Sequence, residues 1–389
     1  MIIERDIYSK IKPVINSPEA VIVTGMRRTG KTTLLKYIFE RIDSNSKIFL
    51  DLENPINQKY FEETDYEKII DSLKLLGMKT GQRSFVFLDE IQFAKNISSV
   101  VKYLIDHHQI KFFLSGSASF YLKNLFSESL SGRKYIFELF PFSFGEFLKL
   151  KKAEISIPGS GEKINQPIFE KINRYFEEYI LFGGFPGVAQ KSSAEEKRMA
   201  LEDIFSSYFQ LEVQQLSDFK KTNVIRDLML LLLERAGSKL DILKLSKELS
   251  VSRQTLSEYV SFLESTYFVK LVRPFSRKRD VEIRNVPKVY ACDSGLVSRF
   301  SKVSEGSLFE NSIFQILRLK GEVNYYQRKS GAEIDFILDK KFAYEVKNFP
   351  SKGDIAKIKR LSDSLKIEDY KIISRRYSDL EKVTYGFLI

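Results

Sequence analysis

A glycine-rich stretch near the N-terminus has the residue types and the spacing that bind phosphate groups. Residues 25–32 read Gly-Met-Arg-Arg-Thr-Gly-Lys-Thr and satisfy the pattern G-x-x-x-x-G-K-[ST] at every required position. In such a phosphate-binding loop (P-loop), backbone N–H groups wrap the phosphates, Lys31 reaches the β- and γ-phosphates, and Thr32 ligates Mg²⁺. The expected nucleotide-binding residues are Gly25, Arg28, Thr29, Gly30, Lys31, Thr32 and Thr33.

An acidic pair follows another apolar run, residues 84–88. A strand that delivers an acid to the phosphate end of a sheet is the Walker-B arrangement, in which Asp89 holds Mg²⁺. Glu90 is one residue further on, where a carboxylate can polarise the attacking water. Ser117 follows a third apolar run, and its hydroxyl group can contact the γ-phosphate or serve in an ordinary turn or helix cap. Together these side chains predict nucleotide hydrolysis.

Acidic residues near the C-terminus form a second candidate site. Alternating apolar and polar residues flank an Asp-Lys-Lys turn at 339–341, which predicts a β-hairpin. In that hairpin Asp335 lies opposite Glu345, and Glu333 and Lys347 share their face of the sheet. Opposed carboxylates repel each other, so we expect Mg²⁺ to be bound by Asp335 and Glu345. Lys347 can then orient water or stabilise negative charge that develops during phosphodiester cleavage.

Five short apolar runs must position the first site. They are rich in β-branched and aromatic residues, and helical stretches separate them. The runs span residues 20–24, 48–50, 84–88, 111–114 and 134–137. Short strands that alternate with helices predict an α/β fold with a parallel sheet. The first run leads directly into the P-loop and then into a helical pattern, which is the context that the motif requires.

Residues 222–290 have the pattern of a winged helix, which is a helix–turn–helix followed by a pair of strands. Ser252 is the expected N-cap of the second helix. The basic residues expected to contact DNA phosphates are Arg273, Arg277, Lys278, Arg279, Arg284 and Lys288. Phosphate contact is favoured over base reading because the second helix does not have a strongly basic face. The alternative is a winged helix that packs internally or binds a partner protein.

The P-loop, the segment Leu-Asp-Glu-Ile-Gln at 88–92 and Ser-Gly-Ser at 115–117 resemble the archaeal and bacterial AAA-type ATPases. The Gly-Arg pair at 132–133, followed by residues 139–147, is similar to another motif of that group. The resemblance implies that the nucleotide is ATP. It also makes Arg133 a candidate sensor or arginine finger, with an exposed structural arginine as the alternative.

Glu310, Asp335 and the Glu-x-Lys pair of Glu345 and Lys347 resemble the PD-(D/E)xK nuclease pattern. The resemblance implies a restriction-endonuclease-like α/β domain in which these four side chains are catalytic. An inactive nuclease fold that serves as a binding module is the alternative. The expected domains are a P-loop ATPase core at 1–150, a helical lid or connector at 151–221, a winged helix at 222–290 and the restriction-endonuclease-like domain at 291–389.

Composition limits the chemistry of both sites. The chain has 389 residues and a formal net charge of +11, which favours polyanionic partners. It contains one cysteine, Cys292, and two histidines, so we expect neither an internal disulfide nor a zinc site built from cysteines. No apolar run reaches the ~20 residues of a membrane helix, and the N-terminus lacks a signal-peptide pattern. We therefore expect a cytoplasmic protein without membrane contact; a homo-oligomer is left open.

The leading hypothesis is an ATP-hydrolysing protein that binds DNA through its C-terminal half. Mg²⁺-dependent nuclease activity is a subsidiary prediction. The alternative is a nucleotide-dependent switch that binds a protein partner and uses the nuclease-like domain as a scaffold. A small-molecule phosphotransferase is a weaker third hypothesis, because no substrate pocket can be named from the sequence.

Overall fold

The computed structural model describes residues 2–79, 81–116, 130–159, 162–215, 219, 221–276, 285–328 and 330–389. The chain divides into two compact units. The first consists of Met1–Phe140, Gln210–Ser217 and Ser265–Tyr267, and the second consists of Pro141–Phe209, Asp218–Glu264 and Phe268–Ile389. Two short segments from the middle of the chain thus belong to the N-terminal unit, although they are distant from it in sequence.

A five-stranded parallel sheet forms the centre of the first unit, in the order β2-β3-β4-β1-β5. Its strands are β1 (Ala20–Thr24), β2 (Lys47–Asp51), β3 (Phe85–Asp89), β4 (Lys111–Ser115) and β5 (Lys134–Glu138). Every residue of β1, β3 and β4 is buried, as expected for parallel strands that are covered on both faces. The predicted α/β sheet is confirmed, and each of the five apolar runs is a strand.

Helices cover both faces of this sheet. They are α1 (Tyr8–Ile11), α2 (Lys31–Arg41), α3 (Pro55–Lys59), α4 (Tyr66–Leu75) and α5 (Ile97–His108). Odd-numbered strand residues such as Val21 and Phe87 pack with the α2 residue Leu35. Even-numbered residues such as Ile22 belong to a second core with the apolar faces of α4 and α5. The alternation of strand side chains thus gives the sheet two separate hydrophobic cores.

The second unit begins with helices and continues into a helix–turn–helix and a strand pair. The helices are α6 (Phe144–Leu150), α7 (Gln166–Phe182), α8 (Pro186–Ala189), α9 (Ala194–Tyr208), α10 (Thr222–Glu234), α11 (Ile242–Glu248) and α12 (Arg253–Ser265). Strands β6 (Val269–Val272) and β7 (Lys288–Ala291) pair antiparallel. The hydroxyl group of Ser252 accepts a hydrogen bond from the Thr255 amide at 3.0 Å, which is the predicted N-cap contact.

A mixed five-stranded sheet forms the C-terminal part, in the order β12-β11-β10-β9-β8. Its strands are β8 (Val323–Gln327), β9 (Glu333–Leu338), β10 (Phe342–Lys347), β11 (Asp369–Ser374) and β12 (Val383–Tyr385). The associated helices are α13 (Ser294–Phe300), α14 (Glu305–Leu317) and α15 (Lys352–Leu365). Phe342 pairs with Leu338 and Tyr344 with Phe336, so the predicted antiparallel hairpin and its register are confirmed.

A buried contact joins two glycine-containing segments of the second unit. Asp293 precedes α13 and accepts hydrogen bonds from the amides of Gly184 and Gly295, each at 2.8 Å. Gly183 has a φ of +74°, and a Cβ atom there would lie 1.8 Å from a carboxylate oxygen of Asp293. Only glycine allows this approach, which explains the Gly-Gly turn that ends α7.

Within the described residues, no helix is both long enough and apolar enough to cross a membrane.

Candidate functional site

The P-loop connects β1 to α2 at the carboxyl edge of the parallel sheet. Gly25 has a φ of +150°, and a Cβ atom on it would lie 2.2 Å from the carbonyl oxygen of Leu139. Gly30 has a φ of +94° and precedes the first turn of α2. The hydroxyl group of Thr29 donates to the Met26 carbonyl at 2.8 Å and closes the loop on itself. The glycines are therefore required by conformation and by close backbone approach, as the motif predicts.

Arg5 braces the P-loop from the N-terminal segment. Its guanidinium group donates to the Thr29 carbonyl at 2.8 Å and to the Phe140 carbonyl at 2.7 Å. The side chain is buried, although it belongs to a charged residue. A buried guanidinium group is costly unless its N–H donors are hydrogen-bonded, and these two carbonyls accept from it. Because Thr29 is in the P-loop and Phe140 follows β5, the Arg5 side chain links the loop to the chain beyond β5.

The Lys31 side chain is hydrogen-bonded inside the P-loop. Its ammonium group donates to the carbonyls of Gly25 and Met26, each at 3.0 Å, and the side chain is 4% exposed. Burial lowers the pKa of Lys31, while nearby carboxylates act in the opposite direction. Those carboxylates belong to Glu90, Glu212 and Asp89. An ammonium group in this position can exchange carbonyl contacts for phosphate oxygens.

Asp89 is the last residue of β3, and Glu90 follows it; β4 lies between β3 and the P-loop strand β1. Asp89 is buried and accepts a hydrogen bond from the Ser115 hydroxyl at the end of β4. Glu90 has a φ of +53°, a left-handed conformation that is uncommon for a non-glycine residue and that concentrates at functional sites. The Thr32 hydroxyl and the Asp89 carboxylate are hard oxygen donors, which suit Mg²⁺. When bound with a nucleotide, that ion would neutralise charge on the phosphates.

Glu212 is an acidic residue of this site that sequence reasoning missed. It lies in a π-helical segment, Phe209–Gln215, which belongs mostly to the first unit. Its side chain is 1% exposed, and its carboxylate acts on the pKa of Lys31. No spacing motif connects position 212 to the P-loop, because only the tertiary fold brings the segment back to the N-terminal unit.

Ser117 and Arg133 were also predicted to belong to the nucleotide site. Ser117 lies outside the described residues. Arg133 precedes β5, and its carbonyl accepts from the amide of Ala20 at the start of β1. The P-loop begins at the other end of β1, about 16 Å away at ~3.3 Å per residue. Arg133 instead pairs with Asp106 at 2.6 Å. The prediction that it senses the nucleotide of its own chain is therefore corrected.

The predicted C-terminal residues lie together in the second unit. Asp335 accepts a hydrogen bond from the Val346 amide at 2.7 Å, across the hairpin that also carries Glu345. Burial, together with the carboxylates of Glu310 and Glu345, raises the pKa of Asp335 well above its usual range. Lys347 contacts Glu345 at 2.9 Å. We call this cluster the carboxylate centre; its acidic members are Glu310, Glu333, Asp335 and Glu345.

Lysines and a tyrosine contact the acidic members of the carboxylate centre. Lys288 contacts Glu333 at 2.7 Å and Glu310 at 3.4 Å, and Tyr290 donates to Glu310 at 2.6 Å. Lys357 contacts Glu345 at 3.0 Å, on the same oxygen as Lys347. Sequence reasoning did not place Lys288, Tyr290 or Lys357 here. Tyr290 and Lys288 alternate along a strand, but their partners are distant in sequence.

These contacts correct two predictions. Lys288 was expected to contact DNA phosphates, but it is 4% exposed and its ammonium group faces carboxylates. Mg²⁺ was expected to relieve the repulsion at Asp335 and Glu345, but lysine ammonium groups and a backbone amide do so instead. Among the described residues, no three His, Cys, Asp or Glu side chains are arranged to hold a metal ion. The carboxylate centre as built does not fit Mg²⁺.

The remaining residues of the predicted DNA surface are only partly described. Arg273 is exposed and follows β6. Arg277, Lys278, Arg279 and Arg284 lie outside the described residues. On α12, Arg253, Gln254, Ser257 and Glu258 are exposed.

Comparisons with known proteins agree with the geometry of the first site. Residues 17–148 match a family described as the AAA domain, and residues 173–307 match a family described as a domain of unknown function (DUF8612). An uncharacterized protein of Methanocaldococcus jannaschii is 27% identical over 406 residues, covering 98% of this chain and 87% of that protein. An uncharacterized protein of Haemophilus influenzae is 26% identical over 336 residues, covering 82% of this chain and 79% of that protein.

Among solved structures, the Aeropyrum pernix ORC1 protein in complex with DNA is 14% identical and superposes with a TM-score of 0.37. That match covers 82% of this chain and 95% of the other. The family match covers the P-loop and the parallel sheet, whose arrangement is consistent with a P-loop NTPase fold.

Proposed function

We propose that the chain binds and hydrolyses ATP at the carboxyl edge of its parallel sheet. The observation that carries this proposal is that buried Lys31, bonded to the Gly25 and Met26 carbonyls of the P-loop, lies near enough to Asp89 and Glu90 for their charges to act on its pKa. Lys31 contacts the β- and γ-phosphates, Thr32 and Asp89 hold Mg²⁺, and Glu90 orients the attacking water. Gly25, Arg28, Thr29, Gly30 and Thr33 complete the nucleotide-binding loop.

Nucleotide binding tests this assignment directly. A fluorescent ATP analogue should bind the wild-type chain in the presence of Mg²⁺ and be displaced by ATP. Lys31→Ala should lose binding, whereas Glu90→Gln should retain it, because Glu90 acts on water rather than on the phosphates. Competition with GTP measures the preference for adenine, which rests on the family resemblance. Unchanged binding by Lys31→Ala would refute the assignment.

We also propose that the second unit binds duplex DNA through phosphate contacts. The supporting arrangement is the helix pair α11–α12 followed by the antiparallel pair β6–β7, which is the order of a winged helix. The segment between those strands carries Arg277, Lys278, Arg279 and Arg284, and exposed Arg273 precedes it. Such contacts bind DNA with little dependence on its sequence.

A second candidate function is a nucleotide-dependent switch that binds a protein partner. The pairing of Lys288 with Glu310 and Glu333 favours it, because a lysine ammonium group pairs with Glu310, one of the predicted nuclease residues, and with its neighbour Glu333. In this hypothesis the restriction-endonuclease-like domain is a scaffold. Duplex DNA incubated with the chain and Mg²⁺ should then remain intact. Cleavage that is lost in both Asp335→Ala and Lys347→Ala would contradict this expectation.

A further inference from the structure

The carboxylate centre contains a lysine that is contributed from outside the C-terminal sheet. Lys288 begins β7, the strand that pairs with β6, whereas Glu333 and Asp335 belong to β9 and Glu310 to α14. The Lys288 side chain nevertheless reaches Glu333 at 2.7 Å and Glu310 at 3.4 Å. A lysine in a fully buried strand is unfavourable unless carboxylates compensate its charge.

The surrounding contacts show which lysine pairs with which carboxylate of the centre. Lys347 and Lys357 both contact the same oxygen of Glu345, at 2.9 and 3.0 Å. The other carboxylate oxygen of Glu345 is buried and has no hydrogen-bond partner in the described part of the chain. Lys288 therefore neutralises the Glu310 and Glu333 side of the centre, while Glu345 keeps one oxygen available. Next to it, Asp335 is held by the Val346 amide.

We propose that Lys288 is the resident cation of the carboxylate centre and excludes divalent metal ions from it. An ammonium group at hydrogen-bonding distance from these carboxylates occupies the space that a metal ion would need. It also supplies the positive charge that the ion would otherwise provide. The proposal does not depend on ATP hydrolysis, because it concerns only residues of the second unit.

Mn²⁺ binding without nucleotide tests this proposal on the full-length chain. Wild-type protein should have no Mn²⁺ site that depends on Asp335. Lys288→Met keeps the length of the side chain and removes the charge, so it should gain such a site, with Mn²⁺ affinity at least about tenfold above the limit of detection for the wild type. The same variant should lose thermal stability, and Mn²⁺ should restore part of the loss, because the ion binds only the folded centre.

Four controls separate the charge of Lys288 from general loosening of the site. Tyr290→Phe removes the hydrogen bond to Glu310 without changing charge, so it should not gain Mn²⁺ binding. Lys270→Met removes an exposed lysine from the neighbouring strand and should also have no effect. Combining Lys288→Met with Asp335→Asn should abolish the gained site. Lys288→Arg keeps the positive charge and should continue to exclude Mn²⁺.

Two results would overturn the proposal. One is Mn²⁺ binding by the wild-type chain that disappears in Asp335→Asn, because the lysine would then not exclude the metal. The other is a folded Lys288→Met or Lys288→Gln variant that gains no Asp335-dependent site. If neither variant folds, the wild-type titration decides, since an Asp335-dependent site there contradicts the proposal and its absence supports it.

Discussion

Arg5 holds the P-loop through hydrogen bonds to backbone carbonyls. Its guanidinium group fixes two carbonyls, at Thr29 within the P-loop and at Phe140 beyond β5, and both hydrogen bonds are shorter than 3 Å. A P-loop binds phosphate with its backbone amides, so the direction of those amides depends on what holds the loop. The Arg5 side chain is thus a positioning residue rather than a catalytic one.

Removal of this brace should weaken nucleotide binding. Arg5→Ala should reduce affinity for ATP by about tenfold, equivalent to about 1.4 kcal/mol, because buried charged hydrogen bonds are lost. Arg83→Ala is the matched control, since Arg83 also donates to two backbone carbonyls, those of Asn16 and Ser17, ahead of β1. It should leave the affinity unchanged. Equal weakening by both substitutions would indicate general destabilisation instead of a role in the loop.

A buried acid makes stability depend on pH in a window that can be predicted. Burial raises the pKa of Asp293 to about 6 from an ordinary value of 3.8. The folded chain therefore binds this proton more tightly than the unfolded chain does. The resulting stabilisation is fully present below pH 3.8 and is lost as the pH rises to about 6, with a magnitude on the order of 3 kcal/mol.

Asp293→Asn should remove this dependence of stability on pH. Melting temperatures of the wild type and the variant, measured between pH 4 and pH 7, isolate the contribution of Asp293 from that of other acids. The variant should be less stable than the wild type at pH 4, because its amide nitrogen cannot accept one of the two hydrogen bonds from Gly184 and Gly295. The difference between the two should be largest at the acidic end. A difference that does not change with pH would contradict the assignment.

At the scale of elements, the close approach between the end of α7 and Asp293 should be intolerant of any side chain. Gly183→Ala places a Cβ atom 1.8 Å from an Asp293 oxygen and forces a residue with a side chain to adopt a φ of +74°. We expect destabilisation of about 2 kcal/mol or more, measured as a lower melting temperature.

Gly187→Ala is the matched control for this substitution. Gly187 lies in α8, and a Cβ atom there would have no neighbour within 4 Å. Alanine also has the higher helix propensity, so the control should be neutral or slightly stabilising. If Gly183→Ala melts at the same temperature as Gly187→Ala, the close contact is not a constraint on the fold.

Local sequence patterns predicted the strands and the hairpin because short stretches of sequence determine these elements. Buried parallel strands require continuous apolar runs, and the P-loop requires glycine at positions 25 and 30. The hairpin register followed from the turn at 339–341 and from the alternation on either side of it.

Contacts between distant segments could not be predicted in this way. Glu212 is buried beside the P-loop because a segment from the middle of the chain joins the first unit. Lys288 was assigned to the DNA surface because it ends a basic run, yet its buried strand places it 2.7 Å from Glu333. Neither contact has a periodic signature in the sequence.

At the scale of the whole molecule, the net charge of +11 is consistent with a polyanionic partner. The salt dependence of binding affinity tests whether that partner is duplex DNA. Changing Arg277, Arg279, Lys278 and Arg284 to glutamine should weaken binding to duplex DNA. It should also lower the slope of log affinity against log salt by about 0.9 for each lost phosphate contact.

A control with the same loss of charge should leave the salt slope intact. Glutamine in place of four exposed lysines of the first unit, Lys59, Lys68, Lys74 and Lys102, provides it. Equal effects of the two quadruple variants would indicate non-specific attraction. An absence of DNA binding by the wild-type chain at low salt would favour the protein-binding switch.

The central claim is that the P-loop site turns over ATP, and steady-state phosphate release with and without DNA tests it most directly. The wild-type chain should release phosphate in a Mg²⁺-dependent reaction. Glu90→Gln should bind ATP but lose turnover by a factor on the order of 10² or more, and Lys31→Ala should lose both. Phosphate release by Lys31→Ala at the wild-type rate would contradict the account.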